Sequence, residues 1–122
     1  MFVEQYQSAV TNVLAAIFEQ ERDRISSAGT VLADTLERDG LLYVFGCGHS
    51  HILAEELFYR AGGLAAVSPI FESSTMLHEG AMKSSEIERL SGYAPWVAAR
   101  YPIQKGDCFL VVSSSGINPF AI

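Results

Sequence analysis

The amino-acid sequence predicts an α/β fold built on a parallel sheet. Three apolar runs of strand length, residues 41–45, 64–71 and 108–112, alternate with segments of helical periodicity. The first and third runs each end in a short turn rich in small hydrogen-bonding residues. Strands that alternate with helices form parallel sheets through right-handed crossovers. We therefore expect the two turns to lie side by side at one edge of the sheet.

The N-terminal segment, residues 1–38, is predicted to form two helices. Apolar residues recur at three- and four-residue steps from Phe2 to Ile17, and a second stripe continues to Leu36. The break between the helices is expected in the charged patch at 19–24 or among the small residues at 26–29. Their apolar stripes favour an oligomerisation segment, although the same stripes would also suit helices that cover the sheet.

The remaining elements follow from the pattern of residues 39–122. The continuous apolar run 41–45 is typical of a strand buried on both faces. The sequence then predicts a helix over 51–61 stopped by two glycines, a strand over 64–71 and helical character around 85–90. Pro95 is expected to begin a short helix that runs to residue 100, and residues 108–112 form the third strand.

The last residues, 117–122, are expected to open a further helix. Three strands would leave much apolar surface uncovered. We therefore expect either a core that is incomplete at its C-terminus or one covered by an oligomeric partner.

Composition and charge limit the functional classes. The 122 residues, 49% hydrophobic and 18% charged, suit one soluble domain. A net charge of -6 without a Lys/Arg cluster argues against nucleic-acid and membrane-surface partners. No apolar stretch approaches the roughly 20 residues that span a bilayer, and no signal peptide is recognisable. Cys47 and Cys108 lack metal-ligand spacing, so we expect reduced thiols and a cytoplasmic protein.

Two turns contain the residues most suited to ligand binding. The first strand ends in Gly46-Cys47-Gly48-His49-Ser50, and the third ends in Ser113-Ser114-Ser115-Gly116. Serine and glycine cluster in turns for structural reasons alone. Two such turns after two buried strands, however, would surround a small anion with backbone N–H groups and hydroxyls. The sequence therefore predicts a phosphorylated ligand.

Other phosphate motifs fit less well. A Walker A loop is excluded because no Gly-Lys-Ser/Thr follows the first turn. A dinucleotide fingerprint begins correctly at Gly46 and Gly48, but His51 occupies its third glycine position. Glu72 stands where a ribose-binding acid would be expected, so an NAD-dependent oxidoreductase stays open as an alternative. We expect no cofactor, because a dinucleotide site does not need a second hydroxyl-rich turn.

Together, the two turns and the helical stretch Ala54-Glu55-Glu56-Leu57 resemble the SIS (sugar isomerase) phosphosugar-binding domain family. The chain is similar to uncharacterised bacterial members and, more distantly, to phosphoheptose isomerase. The resemblance covers nearly the whole chain. It implies a three-layer, flavodoxin-like parallel sheet preceded by N-terminal helices, and homodimers or homotetramers. It also implies that residues 39–122 form a phosphosugar-binding core that stops short of the usual length.

The resemblance also implies a substrate site. By position, Ser50 matches the phosphate-site serine of the first loop, and the serines of the second loop match its partner. The expected substrate-binding residues are Gly46, Gly48, His49, Ser50, Ser113, Ser114, Ser115 and Gly116.

An aldose–ketose isomerase also needs a base that moves a proton between adjacent carbons. The candidates are Glu56, Glu55 and His49, and Glu56 matches the proposed base of phosphoheptose isomerase by resemblance. Alternatively, Glu56 pairs with Arg60 one helical turn away. A pocket without a working base would make the domain a non-catalytic sensor or regulatory module.

A metal site is considered from the histidines. His49 and His51, with Glu55 one turn after His51, would supply two imidazoles and a carboxylate for zinc. No further spacing signal supports a metal, so none is expected. His78 and Glu79 are expected to be an exposed loop pair, or to reach a neighbour's sugar site in an oligomer.

Overall fold

The computed structural model describes residues 1–122, which contain five α-helices and three strands. The helices are α1 (Phe2–Gln20), α2 (Arg22–Glu37), α3 (His51–Leu57), α4 (Ala81–Ile87) and α5 (Tyr93–Ala98). The strands are β1 (Leu42–Gly46), β2 (Val67–Pro69) and β3 (Cys108–Val112). The chain divides into two compact units, Met1–Asp34 and Thr35–Ile122.

The second unit is built on a parallel sheet of strand order β2-β1-β3. Leu42 pairs with Val67 on one side and with Cys108 on the other, and Gly46 pairs with Val112. All five residues of β1 are buried, as a continuous apolar run predicts for a central parallel strand. The predicted α/β fold with a parallel sheet is confirmed, and its strand order matches the start of the flavodoxin-like order.

The first unit contains α1 and most of α2. The two helices are interrupted at Glu21, inside the charged patch predicted from the sequence, whereas the small residues at 26–29 lie within α2. No residue of α1 is buried. Its exposed large apolar side chains are Phe2, Val3, Tyr6, Val10, Val13, Leu14, Ile17 and Phe18. No helix of the chain combines the length and hydropathy that a bilayer crossing requires.

Two elements near the sheet are shorter than predicted. Helix α3 ends at Leu57 and not at residue 61, because Phe58 is extended and Tyr59 has a positive φ of 52°. The Phe58 ring packs edge-on against Phe71, with ring centroids 6.1 Å apart, which accounts for the early departure from the helix. Strand β2 is limited to three residues and ends at Pro69, and the N–H of Ile70 still donates to Val44 O at 2.8 Å. β2 is an edge strand, where a proline whose N–H would face away from the sheet is tolerated.

The elements between β2 and β3 also differ from their predicted bounds. Short 3-10 turns at 73–75 and 77–79 precede α4, which begins after Gly80 (φ 128°), earlier than the predicted 85–90. Helix α5 begins at Tyr93 and ends at Ala98. Gly92, at φ 81°, precedes the first residue of α5. Pro95 therefore lies in the first turn of α5 and is not its first residue, and in the first turn a backbone N–H has no partner within the helix.

The predicted helix at 117–122 is wrong. These residues form turns, in which the N–H of Ala121 donates to Asn118 O at 2.9 Å. Asn118 precedes Pro119, and a residue before proline is disfavoured in the helical region. Phe120 is buried and stacks on Phe45, with ring centroids 4.8 Å apart, which fixes the segment against the sheet.

Five buried side chains form a core cluster on the sheet, two of them from β1 itself. Its members are Tyr43, Phe45, Ile70, Val97 and Phe120. Tyr43 is fully buried, and its hydroxyl oxygen has no hydrogen-bond partner. The core thus joins β1, the end of β2, α5 and the C-terminal turn in one packed group.

Candidate functional site

A cleft of about 440 Å³ lies where β1 and β3 end. Because the two strands are parallel and in register, the turns that follow them meet at the same edge of the sheet. The residues that line the cleft are Cys47, His49, Ser50, Glu88, Val112, Ser113, Ser114, Ser115, Asn118 and Ala121. Five of the predicted substrate-site residues therefore line one cavity: His49, Ser50, Ser113, Ser114 and Ser115.

The first loop is held in a tight backbone turn. A Cβ atom on residue 46 would lie 2.5 Å from the carbonyl carbon of Ser50, so only glycine allows this approach. Gly48 has φ 54° and begins a 3-10 turn, in which the N–H of Ser50 donates to Cys47 O at 3.0 Å. The Ser50 side chain does not cap α3. Its hydroxyl is therefore available to a ligand in the cleft.

The second loop is closed by one of its own serines. The N–H of Gly116, which has φ 64°, donates to Ser113 Oγ at 2.9 Å. Because that oxygen accepts a bond from the backbone, the Ser113 hydroxyl proton is left to point elsewhere. Three predicted substrate-site residues, Gly46, Gly48 and Gly116, do not line the cleft. They allow the close approach and the positive φ angles that the two loops require.

The two predicted glutamate bases lie on α3 and do not line the cleft. Glu56 forms an ion pair with Arg60 one turn later, the arrangement considered as the alternative from sequence. Glu55 Oε1 lies 3.2 Å from His51 Nε2. Among the predicted catalytic residues, only His49 lines the cleft.

Two cleft residues, Cys47 and Glu88, were not predicted to bind or react. Burial raises the pKa of the Cys47 thiol to about 11, the Glu88 carboxylate adds to the increase, and a hydrogen bond with Thr75 opposes it. Cys47 therefore presents a protonated thiol at neutral pH. The position of Cys47 within the first turn motif, between Gly46 and Gly48, could have identified it from sequence as a cleft residue. Glu88 gave no such signal, because residues 72–92 lack a clear periodic pattern.

Glu72, the candidate ribose-binding acid, lies outside the cleft. It lines a separate cavity of about 130 Å³, together with Arg100 and others. Ser74 Oγ donates to its carboxylate at 2.7 Å and Tyr93 OH donates at 3.0 Å. Burial acts to raise the pKa of Glu72, but these hydrogen bonds outweigh it and hold the pKa below its usual value. The Glu72 carboxylate therefore accepts hydrogen bonds that connect parts of the second unit.

A possible metal-binding group differs from the one considered from sequence. The ligand atoms of His51, Glu55 and His78 lie within 4.8 Å of one another. His49 is not part of this group, and His78 takes its place. Glu79, the neighbour of His78, forms an ion pair with Lys83.

The family model described as the SIS domain matches residues 5–122 of the chain. A UPF0309 protein of Listeria monocytogenes serotype 4b is 47% identical over 120 residues, which are 98% of this chain and 49% of that protein. UPF0309 proteins of Geobacillus thermodenitrificans and Halalkalibacterium halodurans are 42% and 38% identical, over 98% of this chain and 48% of each relative. The chain thus spans about half the length of the curated relatives that it matches.

Proposed function

The chain belongs to the SIS-domain family, and on that premise we propose that its cleft binds a phosphorylated sugar. The observation that supports this most is that serines from both loops line one cavity of about 440 Å³. That volume lies within the usual range of small-molecule sites. The two loops are separated by some 60 residues of chain and meet only through the pairing of β1 with β3.

Neutral donors hold the phosphate in this proposal. No Lys or Arg lines the cleft, so the hydroxyls of Ser50, Ser113 and Ser115 supply the hydrogen bonds, with backbone N–H groups near Gly48 and Gly116. The Glu88 carboxylate repels a phosphate. The phosphate therefore binds at the serine loops, and the sugar hydroxyls lie toward Glu88.

A binding experiment tests the proposal. The purified chain is titrated calorimetrically with hexose, heptose and N-acetylated amino-sugar phosphates, their unphosphorylated counterparts, and NAD. We expect one phosphosugar to bind, and Ser115→Ala to weaken it by at least about 10-fold, because a hydrogen bond to a charged group contributes about 1.5–3 kcal/mol. Ser91→Ala, at an exposed serine outside the cleft, is the matched control.

Binding that is the same in wild type and in Ser50→Ala, Ser113→Ala and Ser115→Ala variants would show that the serine loops do not hold the ligand. Tight binding of NAD without any phosphosugar would favour the dinucleotide alternative.

Isomerisation of the bound sugar is a second candidate function. It is favoured by Glu88, the one carboxylate side chain among the residues that line the cleft. A carboxylate at this place is suited to move the proton between adjacent carbons through an enediol. Glu56, the base implied by the family resemblance, is paired with Arg60 outside the cleft.

Two substitutions separate the possible bases. We expect Glu88→Gln to reduce turnover of the bound sugar phosphate by about 10²–10⁴-fold, with little loss of binding, and Glu56→Gln to have a small effect. The opposite pattern would assign the base to Glu56. Tight binding without any turnover in wild type would support the non-catalytic sensor.

A further inference from the structure

A cluster of metal-ligating side chains lies next to the first loop but outside the cleft. His51 is the first residue of α3, Glu55 follows one turn later, and His78 comes from the 3-10 turn at 77–79. His51 Nε2 lies 3.2 Å from Glu55 Oε1. The His51 and His78 rings are 5.3 Å apart between centroids and meet edge to face. Three side chains from two separate elements thus converge on one point.

The backbone determines which nitrogen of His51 faces that point. Its Nδ1–H donates to the carbonyl oxygen of Gly48, and a carbonyl oxygen can only accept. In the neutral ring, Nε2 then carries a lone pair. This lone pair faces a carboxylate oxygen 3.2 Å away. Two acceptors at that distance need a positive species between them, either a proton or a metal ion.

A second imidazole favours the metal ion over the proton. A proton on His51 Nε2 would engage only the Glu55 carboxylate, whereas the ligand atom of His78 also lies within 4.8 Å of both groups. His51 itself is only 4% exposed. Glu55 and His78, by contrast, are exposed, which leaves a path for an ion to enter from solvent. A metal ion would use the neutral form of His51 and take the second imidazole as well.

We propose that His51, Glu55 and His78 bind one divalent transition-metal ion, with zinc as the best match. Two imidazoles and one carboxylate, with a fourth position open to water, form an established type of zinc site. Two ligands of a tetrahedral zinc lie about 3.4 Å apart, given bonds of about 2.1 Å. His51 and Glu55 come close to this spacing at 3.2 Å, and the ligand atom of the exposed His78 lies within 4.8 Å of both.

The contact with Gly48 fits the same interpretation. Metal-binding histidines usually donate their other ring N–H to a carbonyl or carboxylate, which fixes the ring and its tautomer. Gly48 supplies that partner and also shapes the turn that presents His49 and Ser50 to the cleft. A bound ion would therefore link α3, the 77–79 turn and the first loop.

Metal binding is measured on the chain without any sugar, so the result is independent of the proposed phosphosugar function. The purified chain is treated with a chelator, freed of it and titrated with zinc, and bound metal is counted by elemental analysis. We expect one zinc per chain. His78→Ala and Glu55→Gln remove exposed ligands and should weaken zinc binding by more than about 100-fold, beyond the loss typical of an outer-shell partner.

Matched controls come from the same part of the chain. His49→Ala removes the third histidine, and Glu79→Gln removes the carboxylate next to His78; both should keep one zinc at unchanged affinity. Zinc binding that survives in His78→Ala and Glu55→Gln would overturn the proposal. It would also be overturned if His49→Ala or a double Cys47→Ser, Cys108→Ser variant abolished binding, since the metal would then lie elsewhere.

Discussion

At the scale of single residues, the surroundings of Cys47, including the Glu88 carboxylate, raise the pKa of its thiol. The thiol lies in the cleft with its pKa raised to about 11, first by burial and second by the Glu88 carboxylate. A thiol of this kind is a weak nucleophile near neutral pH, because only the thiolate reacts. The cleft therefore contains a protonated thiol of low nucleophilicity near neutral pH.

Alkylation measures this effect. In a Cys108→Ser background, we expect Cys47 to react with iodoacetamide near neutral pH at least about 100-fold more slowly than free cysteine. Glu88→Gln should lower the pKa and speed the reaction, because the like charge beside the thiolate is removed. The pKa should stay above its usual value, since burial is the larger cause.

Glu86→Gln is the control for this prediction. Glu86 is an exposed carboxylate two residues away, and its loss should leave the pH profile of alkylation unchanged. If Glu88→Gln and Glu86→Gln give the same profile as wild type, the Glu88 charge does not act on the thiol.

At the scale of elements, α5 is tied to the segment after β2 by one hydrogen-bonded carboxylate. Tyr93 OH donates to Glu72 at 3.0 Å, and Ser74 Oγ donates to the same oxygen. We expect Tyr93→Phe to lower the free energy of unfolding by about 1.5–3 kcal/mol near neutral pH, the usual range for a bond to a charged group. Urea denaturation measures the change, with the exposed Tyr59→Phe as control.

The same variant has a defined pH dependence. The pKa of Glu72 is lowered in the folded state, so its contribution to stability is present above the unfolded pKa of about 4.3 and is lost as the pH falls through the folded pKa. The destabilisation by Tyr93→Phe should therefore shrink below about pH 4. A penalty that is equal at neutral and acidic pH would mean that Tyr93 does not act through the Glu72 carboxylate.

The first loop gives a prediction for glycine substitutions. Gly46→Ala would place a Cβ 2.5 Å from the backbone of Ser50, so we expect loss of stability and of phosphosugar binding. Gly29→Ala lies in α2 with no atom within 4 Å of the new Cβ, and should raise stability by up to about 1 kcal/mol. Thermal unfolding compares them, and equal melting temperatures for the two variants would contradict the close approach at Gly46.

The elements that could be predicted from sequence are those decided by local pattern. The apolar run of β1 and the turn residues before β3 placed both strands within a residue of their observed bounds. Helix α3 was predicted too long because Phe58 leaves the helix to contact Phe71, a contact that no local pattern contains. The helix predicted at 117–122 is absent: residues 119–121 form a turn, and Phe120 is buried against Phe45, a tertiary contact that the apolar composition does not reveal.

The same distinction applies to the candidate site. Ser50 and Ser113–Ser115 were predicted because each belongs to a short contiguous motif that follows a strand. Glu88 was not predicted, and His78 was predicted only as an exposed loop residue or one that reaches a neighbour's sugar site. Both come from the irregular segment after β2 and reach their neighbours only through tertiary packing. Sequence therefore predicted the serine loops of the cleft better than its carboxylate or the nearby histidine cluster.

At the scale of the whole molecule, the exposed apolar side chains of α1 predict self-association. Val13 is 60% exposed and Ile17 43% exposed in the chain alone. We expect dimers or tetramers in light scattering coupled to size exclusion, and a shift to monomer in a Val13→Asp, Ile17→Asp double variant, because charges oppose burial of this helix.

A double variant at polar positions of the same helix, Gln5→Asp and Thr11→Asp, controls for added charge and should keep the wild-type mass. A wild-type chain that elutes as a monomer over a wide concentration range would contradict the prediction.

The pairing of β1 with β3 also has a consequence for how the protein is made. The first loop is synthesised some 60 residues before the second. At about 5–20 residues per second, the ribosome needs about 3–12 s to cover that distance. Until β3 emerges from the exit tunnel, β1 has one open edge and the nascent chain has only the first of the two loops that line the cleft. A molecule that binds between the two loops would therefore assist folding only late in translation, after the serine turn has left the ribosome.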